Sequence, residues 1–482
     1  MTNLEPKEIF HFFNEITKVP RPSKKEAKMT EWLLKTGKEM GLETQRDEAG
    51  NVLISKPATP GKENVTPVIF QSHMDMVCEK NNDVDFDFEK DAIQAYVDGE
   101  WIKAKGTTLG ADDGIGMAIA LAILASKTIE HGPVECLFTV DEETGLTGAS
   151  ELKPGFLKGK MLVNLDDEDY GEFCIGCAGG QDTVAAYDCT YEDKIPANSV
   201  AYKLMVGGLQ GGHSGDDIDK NRGNAVKLLN RILWNSYQDY DVRVADINAG
   251  NLRNAIAREG WAVVTLPQSN APEFEKYVAE MDKAYKNELR TSDKEVFVKL
   301  EKTSMPARIM EEGLQIDIMN ALYSCPHGIL AMDQNIPGFV ETSTNLASVK
   351  LEKDVITITT SQRSSVESRK KDACDHVAAV FSATGADEIV HSDGYPGWNP
   401  NPDSAVLKVM VEAYRNLHHE EPVIRAIHAG LECGLIGEKY PELDMVSFGP
   451  TLRGVHSPDE KLEIASVQKS WNLILEFFRI LK

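Results

Sequence analysis

Apolar positions in the first part of the chain follow two different spacings. From Pro6 to Val19 and from Lys24 to Met40 they recur every three or four residues, which lays one apolar stripe along a helix. Asn51 to Ser55 and Pro67 to Gln71 are short β-branched runs, Gly114 to Ser126 reads as an Ala/Ile/Leu-rich helix, and Val134 to Val140 and Met161 to Leu165 are continuous apolar strands. Strands apolar on both sides, separated by helices, predict an α/β fold: a mostly parallel sheet with helices on both faces. From about Tyr187 to Val390 the pattern changes to alternating strands (Val200 to Val206, Trp261 to Leu266, Val355 to Thr360) with helices Asn224 to Ser236 and Glu273 to Leu289 between them. After His391 the first pattern resumes with helix Ser404 to Asn416, strand Met445 to Phe448 and a long terminal helix.

The expected organisation is a domain formed by residues 1–184 and 390–482, interrupted by an inserted α+β domain over 185–389. Asn254-Ala255-Ile256-Ala257 and Asn345-Leu346-Ala347-Ser348 are each followed by strand and then helix. That suggests an insert built of two copies of one α+β unit, with chance similarity as the alternative.

Composition narrows the function classes. The 482 residues carry 76 acidic and 51 basic side chains, a formal net charge of -25. Such a surface repels phosphate backbones and anionic membranes, so neither nucleic acid nor membrane is an expected partner. No apolar stretch is long enough to span a bilayer. The first residues read as the start of an amphipathic helix and not as a signal peptide, which makes the cytoplasm the expected location. Eight scattered cysteines, with only Cys174 and Cys177 closely spaced, read as buried free thiols in a reducing compartment.

The candidate chemistry lies where apolar strands end. Val68 to Ser72 runs into His73-Met74-Asp75, Leu137 to Val140 into Asp141-Glu142-Glu143, and Leu162 to Leu165 into Asp166-Asp167-Glu168-Asp169. Met445 to Phe448 leads to the loop ending in His456, and Asp112-Asp113 precedes the Ala-rich helix. A single acidic loop after a strand is usually solvated surface. In a parallel sheet, however, all strand C-termini share one edge, where ligands bind. His73, Asp112, Glu142, Glu143, Asp166 and His456 would then meet in one crevice. So many carboxylates need a cation among them, and His with Asp or Glu is a ligand set for zinc and its neighbours.

At these residues the chain resembles the M20-type zinc metallopeptidases, a family that includes aminoacylases, carboxypeptidases, a desuccinylase and several dipeptidases. Six motifs carry the resemblance in order: Ser72-His73-Met74-Asp75-Met76-Val77, Leu109 to Gly116, Thr139 to Gly145, Gly211-Gly212-His213-Ser214-Gly215, His428 to Gly434, and Gly454 to Glu460. The resemblance implies a catalytic domain with an inserted lid and two divalent ions, zinc or alternatively cobalt or manganese. His73 and Asp166 would bind one ion, Glu143 and His456 the other, and Asp112 would bridge them, with Asp113 beside it where many relatives have Asn. Glu142 would act as general base on a water held between the metals, and Asp75 would accept the other N–H of His73. His213 would face the developing oxyanion. Arg363 would grip the substrate's terminal carboxylate, helped by Asn345, with Asn254 competing for that role.

The activity so implied is hydrolysis of unblocked dipeptides with broad side-chain tolerance, Xaa-His among them. The alternatives are a deacylase or desuccinylase acting on N-acyl amino acids, or a non-catalytic metal-dependent binding protein. Relatives with short lids dimerise and share a histidine between chains; an insert of two units is expected to let one chain complete its own site, and a homodimer stays open.

Overall fold

Four apolar strands lie parallel at the centre of the first of two units, in the order Val134–Thr139, Val68–His73, Met161–Asn164 and Asp444–Ser447. The structure, a computed structural model, describes residues 3–192, 194–392 and 394–482. This unit comprises residues up to Cys177, Trp398–Ala426 and Leu431–Lys482. On one side Val52–Lys56 adds antiparallel, followed by Glu43–Arg46; on the other Glu172–Cys177 adds antiparallel, followed by Val423–Ile427 at the edge of an eight-stranded sheet. The mixed sheet, parallel at its centre, agrees with the α/β expectation.

Register sets the strand ends level. Val68 lies opposite both Val134 and Met161, His73 opposite Thr139, and Asn164 opposite both Gln71 and Ser447. Alternation then assigns the faces. Phe70 and Cys136, which are register partners, point to the face covered by helices Ala111–Ala125 and Ile464–Ile480. The Cys136 thiol donates to the Ala120 carbonyl, and Phe70 packs edge-on against Phe477 and tilted against Phe478, at ring distances of 6.4 and 5.5 Å. Gln71 points the other way, to helix Glu432–Lys439.

The second unit, Ala178–Gly397 with Ile427–Gly430, is built on a nine-stranded antiparallel sheet. Its path runs Phe297–Lys302, Ser199–Gly207, Gly260–Pro267, Arg243–Gly250, Val340–Glu352, Val355–Ser364, Gly179–Asp188, Glu388–His391, with Gly328–Met332 paired onto Val340–Glu352. The order is mirror-like. Ser199–Gly207, helix Ala225–Tyr240, Arg243–Gly250, Gly260–Pro267, helix Ala271–Glu288 and Phe297–Lys302 form one strand-helix-strand-strand-helix-strand half. Gly179–Asp188, helix Glu312–Ser324, Val340–Glu352, Val355–Ser364, helix Glu367–Ala383 and Glu388–His391 repeat that succession.

The halves meet where Asn248, Ala249 and Gly250 pair with Lys350, Val349 and Ser348. Gly250 has φ +72°, and a Cβ there would collide with the Ala347 carbonyl. The two similar tetrapeptides do not occupy matching places: Asn254 to Ala257 lies in the loop between strands, Asn345 to Ser348 inside a strand. The expected domain borders at 184/185 and 389/390 lie within strands Gly179–Asp188 and Glu388–His391. Leu229, Phe274, Met319 and Phe381 from the four helices pack with Leu204, Val264, Val349 and Ile358 of both halves into one apolar core.

Among the described residues no helix is long and apolar enough to cross a membrane. The eight cysteines are unpaired, and all but Cys78 are buried.

Phe70 is fully buried between the sheet and the terminal helix. Phe70→Ala is expected to destabilise the protein by about 3–5 kcal/mol, read as a lower urea midpoint for the first unit with unchanged slope.

Candidate metal centre

Each candidate ligand is delivered by a strand end or by a loop that other residues hold in place. His73 closes strand Val68–His73. Glu142 and Glu143 follow strand Val134–Thr139, and Asp166 follows Met161–Asn164. Asp112 needs more support, because its backbone (φ -80°, ψ 113°) departs from the helix that becomes regular after it. Glu460 provides that support. Its two carboxylate oxygens accept from four successive backbone N–H groups, those of Leu109 (2.6 Å), Gly110 (2.9 Å), Ala111 (2.7 Å) and Asp112 (3.3 Å). The buried Arg21 guanidinium donates to the carbonyls of Met74, Asp75 and Gly110, tying this loop to the one after His73. Gly110 has φ +67°, and a Cβ there would meet Arg21 and Met76, so the close approach requires glycine. His456 sits in a turn with φ +60°, uncommon for a residue with a side chain.

The ligand atoms converge on Asp112. Its Oδ1 lies 3.0 Å from Nε2 of His73, and its Oδ2 lies 3.1 Å from Nε2 of His456. Asp166 Oδ1 is 3.5 Å from the same nitrogen of His73, and Glu143 Oε2 is 3.0 Å from that of His456. Two clusters therefore share one carboxylate: His73, Asp112 and Asp166, and Asp112, Glu143 and His456. Glu142 joins a third grouping with His73 and Glu143. Asp113 turns away; its Oδ1 accepts from the Gly116 N–H at 3.0 Å, inside the start of the helix.

Asp75 is fully buried on the far side of His73, with Oδ1 3.3 Å from Nδ1. Its oxygens also accept from the N–H groups of Glu142 (3.0 Å) and Glu143 (3.2 Å) and from the Ser23 hydroxyl (2.7 Å). One carboxylate thus faces the His73 ring and holds the start of the Glu142–Glu143 turn. Burial would raise Asp75, but the His73 ring outweighs it and brings the carboxyl down to about 2.

The electrostatics describe a site short of positive charge. Hydrogen bonds to Asp112 and Glu143 push the His456 ring up to about 11. Burial opposes a charge on His73, yet Asp166, Asp112 and Asp75 overcome it and hold the ring well above the usual imidazole range. Burial would also raise Asp112, and the two rings keep it below the usual carboxylate range. Burial, with Asp112 and Glu432 nearby, pushes Asp166 up to about 8 against the pull of His73. Burial raises Glu142 well above its ordinary value, helped by Asp166, Glu432 and Glu143.

Among the described residues no Lys or Arg forms an ion pair with Asp112, Glu142, Glu143 or Asp166, so two imidazolium protons face four carboxylates. Two divalent ions there would displace those protons and supply positive charge that the carboxylates lack. The imidazole and carboxylate donors are also the right type for zinc-like ions, so the residues present fit a dinuclear centre.

The remaining candidates gather in the second unit. His213 pairs across a bridge with Ala255, and Ser214 N–H donates to the Asn254 carbonyl at 2.9 Å. Arg363 is buried; its guanidinium lies 3.5 Å from Nε2 of His213 and donates to the Tyr395 hydroxyl at 2.9 Å and to Ser214 at 3.4 Å. The Asn345 amide donates to the carbonyls of Arg253 (3.2 Å) and Ala255 (2.9 Å), and its Oδ1 is buried without a partner. Asn254 is exposed and, with Arg363 and Tyr395, lines a cavity of 240 Å³.

Several contributors are absent from the sequence reading. Glu460, Glu432 and His428 stood inside motifs without a role of their own. Arg21 and Tyr395 carried no signal, since each works through partners remote in sequence. His428 is buried, with Nε2 2.7 Å from the Ser343 hydroxyl; burial and then Arg363 push it down to about 3, so it is a neutral imidazole beside a cation.

Comparison with known proteins adds independent findings. The family model for peptidase family M20/M25/M40 matches residues 69–479. The chain is 40% identical over 482 residues to the cytosol non-specific dipeptidase of Escherichia coli (strain K12), covering 99% of this chain and 98% of that protein. The crystal structure of aminoacylhistidine dipeptidase from Vibrio alginolyticus matches with TM-score 0.95 and 42% identity, over 100% of this chain and 98% of that one. Aminopeptidase PepT from Bacillus cereus ATCC 10987, at 16% identity and TM-score 0.58 over 98% of each chain, shares the fold. With a family match running from the strand of His73 into the terminal helix, and 40% identity along its whole length, this chain belongs to peptidase family M20/M25/M40.

Proposed function

We propose that this chain is a cytosolic dinuclear metallo-dipeptidase that hydrolyses the amide bond of unblocked dipeptides with broad side-chain tolerance, Xaa-His peptides among them. The observation that carries the reading is Asp112, whose two oxygens each face a different histidine, at 3.0 and 3.1 Å. The relatives named as cytosol non-specific dipeptidase and aminoacylhistidine dipeptidase support the substrate class and the compartment.

In this reading His73 and Asp166 would hold one divalent ion, Glu143 and His456 would hold the other, and Asp112 would serve both. Zinc suits the donors, as do cobalt and manganese. Bound there, the pair supplies Lewis acidity toward the scissile carbonyl and makes water a stronger acid. Glu142 takes the proton from the attacking water and delivers it to the leaving amine; its burial favours holding that proton in between. Asp75 keeps the proton of neutral His73 on Nδ1, leaving Nε2 directed at the Asp112 side.

Arg363, its guanidinium fixed by Tyr395 and Ser214, grips the substrate carboxylate, and His213 stabilises the developing oxyanion. Asn345 and Asn254 offer further amide contacts. A clamp on the carboxylate constrains substrate length more than side-chain identity, which accounts for broad specificity.

A panel of Ala-Ala, β-Ala-His and N-acetyl amino acids tests the substrate class. Turnover of the first two is expected, and turnover of the N-acetyl compounds alone would move the reading to a deacylase. Glu142→Ala is expected to lower kcat at least about 100-fold with metal content by elemental analysis unchanged; retained turnover would remove Glu142 as the base. Because His456 keeps its proton up to about 11 and His73 is also held protonated, uptake of ions near neutral pH expels protons. Metal affinity of the stripped protein should therefore rise with pH, by up to about tenfold per unit for each proton released, in zinc titrations at pH 6, 7 and 8. A flat profile would contradict this ligand set.

A further inference from the structure

A buried polar belt crosses the sheet one layer beneath the candidate ligands. Glu432 Oε2 accepts from the Gln71 amide at 2.6 Å and from the Thr139 hydroxyl at 2.8 Å. The Gln71 carbonyl oxygen accepts from the Asn164 amide at 2.6 Å. The Asn164 carbonyl oxygen accepts from the Ser447 hydroxyl at 2.5 Å and from the backbone N–H of Asp166 at 3.3 Å. Gln71, Thr139, Asn164 and Ser447 are all at most 1% exposed and come from the four central strands. Gln71 and Asn164 each stand two residues before a candidate ligand: Gln71 shares a strand face with His73, and Asp166 follows the strand that ends at Asn164.

The belt has a direction. Gln71 and Asn164 are amides, and either could be turned end for end. Glu432 Oε2 accepts from both the Gln71 amide and the Thr139 hydroxyl, which turns the Gln71 NH2 toward Glu432 and the Gln71 oxygen toward Asn164. The Asn164 oxygen is then left for Ser447 and the Asp166 N–H. The reverse order would aim the Asn164 NH2 at that N–H, donor against donor. Glu432 also keeps one oxygen, Oε1, buried without a partner. Such an oxygen costs stability, so capping one amide does not by itself account for a carboxylate at this position.

We propose that Glu432 is a positioning residue: it sets the polarity of this amide relay, and through it fixes the Asp166 backbone and the binding of the ion assigned to His73 and Asp166. The assignment rests on the two-ion reading above. Glu432→Gln, nearly isosteric, can donate as well as accept and so permits the reversed relay; Glu432→Leu removes the anchor.

The test is calorimetric titration of the metal-stripped full chain with Zn²⁺, comparing both variants with the unaltered protein and with Asp166→Ala. Two binding steps are expected in the unaltered protein. The step that Asp166→Ala abolishes should weaken about 10-fold in Glu432→Gln and about 100-fold in Glu432→Leu, while the other step stays within about twofold. The metal-free melting temperature is read alongside. A lowered melting temperature with both zinc affinities intact in Glu432→Gln assigns Glu432 a purely structural role and overturns the proposal. Weakening confined to the other step also overturns it. Should Glu432→Leu fail to fold, Glu432→Gln decides the matter alone. No zinc uptake by the unaltered protein overturns the two-ion reading, and this proposal with it.

Discussion

Carboxylates repel one another, and the first unit holds four of them against two imidazoles. Every local feature around them opposes that repulsion. The strand register sets the ends level, Glu460 gathers the N–H groups of the Asp112 loop, and Arg21 binds that loop to the one after His73. Asp75 stands against the His73 ring and accepts from the Glu142–Glu143 turn. Without ions, the carboxylates hold protons on both rings, and burial together with the neighbouring carboxylates raises Asp166 and Glu142. A frame held by this many hydrogen bonds would spend little reorganisation on binding cations there.

The second unit carries the opposite electrostatic character at its candidate site. Arg363 is buried with a neutral His428 close by, and its charge is directed by two hydroxyls and one imidazole, with no carboxylate pairing it among the described residues. A guanidinium kept without a carboxylate partner in a poorly solvated place favours a small anion from outside. The terminal carboxylate of a peptide has that chemistry.

Sequence alone made the convergence of the candidate ligands and the sheet legible for the same reason. Apolar runs such as Val68 to Ser72 and Leu137 to Val140 announce buried strands, and the residues after such strands fall on one edge. The substrate-side candidates His213 and Arg363 came only from motif resemblance, yet they prove to be neighbours. What stayed hidden were residues acting on distant partners. Glu460 reaches Leu109 to Asp112, Glu432 reaches Gln71 and Thr139, and Arg21 reaches Gly110, and no local period encodes such pairings. The division between units was blurred because only Ala178 separates strand Glu172–Cys177 from strand Gly179–Asp188, so no linker marks where the chain passes from one sheet to the other. The matching tetrapeptides misdirect in detail, since one lies in a loop and the other in a strand; the repeated succession of elements is the stronger regularity.

The path of the chain through the second sheet bears on its synthesis. Gly179–Asp188 belongs beside Val355–Ser364, yet the whole of the other half, from Ser199 to Lys302, is made between them. On the ribosome this early strand therefore waits, its hydrogen-bonding edge unsatisfied, while a complete half-sheet folds in front of it. Such delayed pairing is slow and prone to misassociation. The other half, whose strands all arrive in one uninterrupted stretch, is the natural template on which the late strands close.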